Sequence, residues 1–161
     1  MPVLEITKDP KALTLTMTAA FPKPPERVWQ IWADPRQLER WWGPPTWPAT
    51  VVDHDLTVGG RVRYYMTGPA GEKAEGWWQF THIDTPRSLE FEDGFSDTSG
   101  QPDLTMPTMR VRVELSATEN GTLMTVVTTF KSAEQMHQLS EMGMEEGLRG
   151  AAGQIDAVLA D

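Results

Sequence analysis

No cysteine occurs among the 161 residues, so neither a disulfide nor a thiolate metal site is open to this chain. A chain of this length can bury roughly 70% of its unfolded surface and needs no such staple. Histidine is scarce as well. His54, His82 and His137 are the only three, and none has the His-x-His or His-x-x-x-His spacing of metal ligands, so no metal is expected. Positive charge is in deficit, with 14 Lys and Arg against 23 Asp and Glu and a net charge of −9. That balance argues against nucleic acid, which needs a basic face, and against an anionic membrane surface. No apolar run approaches the roughly 18 residues of a membrane span, and no signal-peptide pattern is present. A soluble, cytoplasmic protein is the expectation. Gly-x-Ser-x-Gly, phosphate-cradling and dinucleotide-binding patterns are all missing, so no cofactor is expected and no catalytic residue is assigned. Tryptophan, by contrast, is abundant: seven occur, four of them at Trp29, Trp32, Trp41 and Trp42. Bulky rings with one polar N–H suit a large core or the wall of an apolar pocket.

Alternation of apolar and polar residues organises most of the chain. Residues 1–10 show no useful period and are expected to fray. From Ala12 to Phe21, Leu13, Leu15, Met17, Ala19 and Phe21 alternate with threonines, which predicts a half-buried strand. Pro25 can open a short helix with the stripe Val28, Ile31 and Trp32. Asp34-Pro35 reads as an N-cap followed by proline at the first helical position of a second short helix, carrying Leu38, Trp41 and Trp42. Further strands are predicted at Thr50–Thr57, Arg61–Met66 and Ala74–Ile83, then around Leu89 and Phe91, around Met109 to Leu115, and at Leu123–Phe130. Gly59-Gly60, Gly68 to Gly71, Asp84-Thr85-Pro86 and Asn120-Gly121 supply the turns. The stretch from Gly94 to Pro107 reads as a long loop. Asp53-His54-Asp55 places His54 away from both carboxylates, as strand surface or a capping contact. Arg61, Arg63, Arg110 and Arg112 should share an outer face with Glu90, Glu92 and Glu114.

The last thirty residues contain no proline. Ser132 with Gln135 forms a capping box, and a continuous helix from Ala133 to Ala160 would be roughly 42 Å long. On its inner face lie Met144, Leu148, Ala151, Ala152, Ile155, Val158 and Leu159, with His137, Ser140 and Glu141 extending that face towards the N-terminus. Gly143, Gly147, Gly150 and Gly153 point to close packing or a bend. The order strand, two short helices, about six antiparallel strands and a long helix predicts an α+β grip. In it a curved antiparallel sheet closes around the C-terminal helix, as one domain over residues 1–161 with its core at 12–160.

Placed in this order, the motifs resemble a known family. They are Pro25-Glu26-Arg27-Val28-Trp29, Asp34-Pro35 with Leu38, and Trp41-Trp42-Gly43-Pro44. Asp55-Leu56 and Val58-Gly59-Gly60-Arg61 follow, then Tyr64, Met66, Gly71, Ile83-Asp84-Thr85-Pro86 and Leu89. Gly121-Thr122 and Met144-Glu145-Glu146-Gly147-Leu148 complete the set. Together they resemble the SRPBCC superfamily (START and Bet v 1-like, helix-grip fold) over residues 12–160, and within it the AHSA1 family, named for the C-terminal-type domain of an activator of Hsp90 ATPase. The resemblance implies a cavity between sheet and helix for a small, mostly apolar or amphipathic ligand. The chain lacks a second domain such as the eukaryotic activator carries, so a chaperone partner is not the leading expectation. Trp78 stands where the family is expected to have a small residue, and would narrow the cavity. Oligomeric state is left open, a homodimer included.

The residues expected to line that cavity are Trp42, Val62, Tyr64, Met66, Trp78, Phe80, His82, Met109, Val111, His137, Glu141, Met144 and Leu148. Trp78, Phe80 and His82 share one strand face by alternation, as do Val62, Tyr64 and Met66. Tyr64 and His82 would orient the ligand, and His137 with Glu141 would form a polar rim. Small-molecule binding is the first reading. A cyclase, dehydratase or hydrolase using Tyr64, His82, His137 or Glu141 is the second, and a chaperone-binding module the third.

Overall fold

The computed structural model describes residues 3–97 and 99–161. Eight strands form one sheet: β1 (Val3–Asp9), β2 (Thr14–Phe21), β3 (Ala49–His54), β4 (Arg61–Thr67), β5 (Lys73–Asp84), β6 (Ser88–Phe95), β7 (Met109–Thr118) and β8 (Gly121–Thr129). Their order in space is β1-β2-β8-β7-β6-β5-β4-β3, with every neighbouring pair antiparallel. Between β2 and β3 lie α1 (Pro25–Ala33) and α2 (Pro35–Leu38). After β8 come α3 (Ala133–Glu141), α4 (Met144–Ala152) and α5 (Ile155–Leu159). The β3 to β8 run is an antiparallel meander, its strands joined by short turns except for the longer 96–108 loop between β6 and β7.

The alternation read from sequence sets which side of each strand is covered. Leu15, Met17 and Ala19 on β2, Val111 and Val113 on β7 and Met124 and Val126 on β8 all turn inward and are buried. On the outer side, Arg112 reaches Glu90 at 3.1 Å and Glu114 at 2.8 Å, and Arg110 reaches Glu90 at 3.4 Å. This is the expected charged face, and exposed pairs of this kind contribute little stability each. α1 buries Val28, Trp29, Ile31 and Trp32. The Asp34 side chain accepts from the Arg36 N–H at 2.9 Å, the cap expected for α2. His54 donates from Nε2 to the Trp32 carbonyl at 3.0 Å, which satisfies an otherwise free C-terminal carbonyl of α1.

Three expectations fail. α2 ends at Leu38, so Trp41 and Trp42 follow it in a turn instead of lying on it. Residues 3–9 are not frayed. β1 pairs along its whole length with β2, from Val3 opposite Ala20 to Asp9 opposite Thr14, and Leu4 and Ile6 pack against the core. The C-terminal segment is also not one continuous helix. Gly143 sits at φ 85°, ψ 24°, a left-handed conformation that glycine adopts without steric cost, and it separates α3 from α4. A second interruption at Gly153 and Gln154 separates α4 from α5. Lys8 on β1 fastens the first break: its Nζ donates to Ser140 Oγ at 3.0 Å and pairs with Glu145 at 3.2 Å, while Ser140 Oγ donates to Glu145 at 2.6 Å. The same contacts hold the Glu145 carboxyl below the usual range, led by the Ser140 hydrogen bond.

Past the break, α4 and α5 lie over the concave side of the sheet. Ala151, Ala152, Ile155, Val158 and Leu159 are buried in the main cluster with α1 and the rings of β5 and β6. Arg27 ties α1 to this end of the chain, donating to the Val158 carbonyl at 2.8 Å and to Gln37 at 2.7 Å. A smaller cluster under α3 holds Leu15, Met109, Phe130, Met136 and Leu139, and Leu148 touches both clusters.

Candidate functional site

The concave face over β4, β5 and β6 is packed with rings. Trp78 stacks on Phe91 with centroids 4.0 Å apart and planes 17° from parallel. Trp42 meets Trp78 edge-on at 4.7 Å, and Trp32 meets Trp41 edge-on at 4.8 Å. Such edge and offset contacts follow from the ring quadrupole, negative on the face and positive at the rim. Trp78, Phe80 and Val62 are fully buried among them. The Trp41 indole donates to the Ile31 carbonyl at 2.9 Å. The indole N–H groups of Trp32, Trp42 and Trp78 are buried with no acceptor. An unpaired buried donor costs about 1–3 kcal/mol, so three close together are unusual in a settled core.

One carboxyl lies in the same face. Asp93 on β6 is opposite Trp78 on β5 and Met109 on β7, both inward-facing positions. It is only 8% exposed, and the Tyr64 hydroxyl donates to its Oδ1 at 3.1 Å. Among the described residues no lysine, arginine or histidine is paired with either group. Burial pushes the Asp93 carboxyl up to about 7, with a smaller push from the Glu92 charge and an opposing pull from the Tyr64 hydrogen bond. Tyr64 is raised well above its usual value, first by burial and then by the charge of Asp93. The indoles of Trp42 and Trp78 lie near enough to the Tyr64 oxygen to oppose that rise. Neither reaches a hydrogen bond of acceptable distance and angle, so both remain unsatisfied donors. Gly76, opposite Tyr64 across the β4–β5 pair, makes the arrangement possible, because a Cβ there would overlap the Tyr64 hydroxyl oxygen.

The sequence-expected site residues divide into two groups. Trp42, Val62, Tyr64, Trp78, Phe80 and Val111 belong to the main core cluster or pack against it. Met66 lies two residues beyond Tyr64 on the same strand face. Met109 and Met144 belong with the smaller cluster, and Leu148 joins the two. The other three residues are elsewhere. The β5–β6 register slips between Phe80 and His82, so His82 is opposite Glu90 on the outer face and Ile83, opposite the buried Leu89, takes the inner position. A bulge of one extra residue moves every following side chain to the other face. His82 instead meets Ser88 Oγ at 2.9 Å. His137 and Glu141 pair with each other at 3.2 Å but stand in solvent, their side chains 75% and 71% exposed. The break at Gly143 uncouples their face of α3 from that of Leu148, so no polar rim forms from them.

Asp93 is the buried carboxyl that the sequence pattern did not single out. Its signal is present in the chain: Leu89, Phe91 and Asp93 share one parity, so the strand period itself points a carboxylate inward.

Along α4 the burial is uneven. Met144 and Leu148, on the inward side of α4, are only half-buried, unlike Ala151 and Ala152 a turn later. Gly150 packs on Pro44 and Pro45, each about 3.5 Å from where a Cβ would be, whereas at Gly147 nothing lies within 4 Å. A separate surface groove of about 530 Å³ lies between the 104–108 loop and the start of α3, lined by Trp77, Leu104, Met106, Pro107, Lys131 and Gln135. None of the concave-face residues contributes to it. Among the described residues no cluster of metal-ligating side chains occurs, and no helix is long and apolar enough to cross a membrane.

A curved antiparallel sheet gripping C-terminal helices, with two short helices after the second strand, defines the helix-grip class. The family model for Activator of Hsp90 ATPase homolog 1-like protein matches residues 22–160, and the chain belongs to that AHSA1 family. No curated protein matches the sequence. Among solved structures, a protein from Arthrobacter aurescens is 56% identical, with TM-score 0.92 over 97% of this chain and 91% of its own. Protein Ms6760 from Mycobacterium smegmatis is 50% identical, with TM-score 0.88 over 96% of this chain and 95% of its own. An AHSA1 protein from Silicibacter pomeroyi, at 22% identity and TM-score 0.71 over 91% of this chain and 97% of its own, shares the fold.

Proposed function

We propose that this protein binds a small, mostly apolar molecule on the concave face of the sheet, beneath α4. The observation that carries this reading is the pair formed by half-buried Tyr64 and buried Asp93, set among rings on a face whose covering helix keeps its inward side chains only half-buried. Ligand sites are mostly apolar with a few placed polar groups, and a polar pair with no structural cation is costly unless something uses it. The rings of Trp78 and Phe91 already fill the floor, so the ligand occupies the space now closed loosely by Met144 and Leu148. The family name raises a chaperone partner, and no observation on this chain favours it. Catalysis in the same place is the second reading. A carboxyl near 7 beside a tyrosine is suited to proton transfer at neutral pH. His82, His137 and Glu141 lie too far to one side or too far out to share in it.

Uptake of Nile red, an uncharged apolar dye, tests the binding reading. Leu148→Trp is expected to abolish uptake while lowering stability by less than about 1 kcal/mol, because the added volume enters loosely closed space. In a solid core the same change strains its neighbours and costs about 1–3 kcal/mol. No dye binding by the parent, or unchanged binding by the variant, contradicts the reading.

A further inference from the structure

The polar end of such a ligand is narrowed by the groups around Tyr64. Resting on the binding reading above, we infer that the site selects an uncharged oxygen function, a hydroxyl above all, on a flat apolar skeleton. Two buried indole N–H groups, those of Trp42 and Trp78, lie beside the Tyr64 oxygen and lack an acceptor. A ligand oxygen set there supplies one. The Asp93 carboxyl has one hydrogen-bond partner among the described side chains, the Tyr64 hydroxyl at 3.1 Å, so it can accept the ligand's O–H. A hydroxyl is the small neutral group that donates and accepts at one atom. The surrounding rings, Trp42 at 6.1 Å and Trp78 at 6.2 Å from Tyr64, suit a flat skeleton.

A carboxylate end group is disfavoured on electrostatic grounds. No cation is paired with Asp93 or Tyr64 among the described residues, Glu92 adds its own negative charge to Asp93, and two carboxylates in one apolar site repel. Fatty-acid-like ligands are therefore rejected at this end. Lys73 does not rescue them: its ammonium is over the Tyr65 ring at 4.4 Å, on the opposite face of β4 from Tyr64.

The test uses four probes of one skeleton: naphthalene, 2-naphthol, 2-naphthoate and 2-naphthylmethylamine, titrated near pH 7 against tryptophan fluorescence. Expected is 2-naphthol binding about tenfold tighter than naphthalene, the scale of one or two net hydrogen bonds, with 2-naphthoate weakest. Asp93→Leu, which removes the acceptor for the ligand's O–H, should narrow the preference for 2-naphthol over naphthalene to within about twofold. Naphthoate binding as tightly as naphthol overturns the inference while leaving apolar binding intact. So does the amine binding tightest, which would make Asp93 a cation anchor. Failure of all four, naphthalene included, overturns the binding reading and this inference with it.

Discussion

Ending the chain at Gly143 is expected to abolish cooperative folding. The deletion removes α4 and α5, and with them Ala151, Ala152, Ile155, Val158 and Leu159, all buried in the main cluster. Burying one Val-, Leu- or Ile-sized side chain is worth about 1.5–3 kcal/mol. Three of them alone approach the roughly 5–15 kcal/mol that holds a whole domain together. The deletion also strips the cover from Trp32, Trp78 and Phe80 and leaves Arg27 without the Val158 carbonyl. Thermal melting followed by circular dichroism checks this. A truncated chain that melts cooperatively near the parent temperature would refute the claim that α4 and α5 close the core.

Asp93→Asn is expected to stabilise the protein, and to do so only as pH rises. The folded state raises this carboxyl from 3.8 to about 7, so between those values the native protein holds a proton that the unfolded chain releases. Stability from this group is therefore fully present below about pH 4 and is lost as pH climbs through 7. At pH 8 the native protein carries a buried carboxylate, and the asparagine variant does not. Asparagine keeps an oxygen for the Tyr64 hydroxyl. Between the two titration points the gain should grow by about 1.4 kcal/mol for each pH step of one. The fit of the amide adds only a pH-independent offset, so the difference between the two proteins should grow by roughly 4 kcal/mol from pH 4 to pH 7 and level off above it. Urea melts of both proteins from pH 4 to pH 8 measure it. The comparison must be a difference between the two proteins, because Glu145 and Asp97 are held low and lose their own stabilisation on acidification. A pH-independent difference would mean that Asp93 is not buried as a proton-poised acid.

Much of this architecture is legible because a strand writes its period into the sequence. The alternation of β2, β4, β7 and β8 and the Asp34-Pro35 helix start all appear where the residues place them. Periodicity is silent where a single backbone choice decides the outcome. Gly143 continues a helical pattern equally well whether it stays right-handed or turns to φ 85°, and the turn alone removes His137 and Glu141 from the site. The bulge between Phe80 and His82 leaves no mark on composition, yet it exchanges His82 for Ile83 on the inner face. β1 carries only Leu4 and Ile6, either side of Glu5, as apolar residues packed on the core, too few to establish a period before β2 is known to be its partner. Asp93 is readable by parity, but its importance comes from Tyr64 and Gly76 on neighbouring strands. Only the register of β4, β5 and β6 brings these together.

The site itself can be watched directly through the tryptophans. Each of the seven indole N–H groups gives its own proton–nitrogen resonance, and titration with Nile red followed by NMR reports which rings sense the ligand. If the concave face is the binding site, the Trp42 and Trp78 indole signals and the Tyr64, Asp93 and Leu148 amides shift together and saturate at one ligand. Shifts confined to Trp77 and the 104–108 loop, with the concave face unmoved, would contradict it.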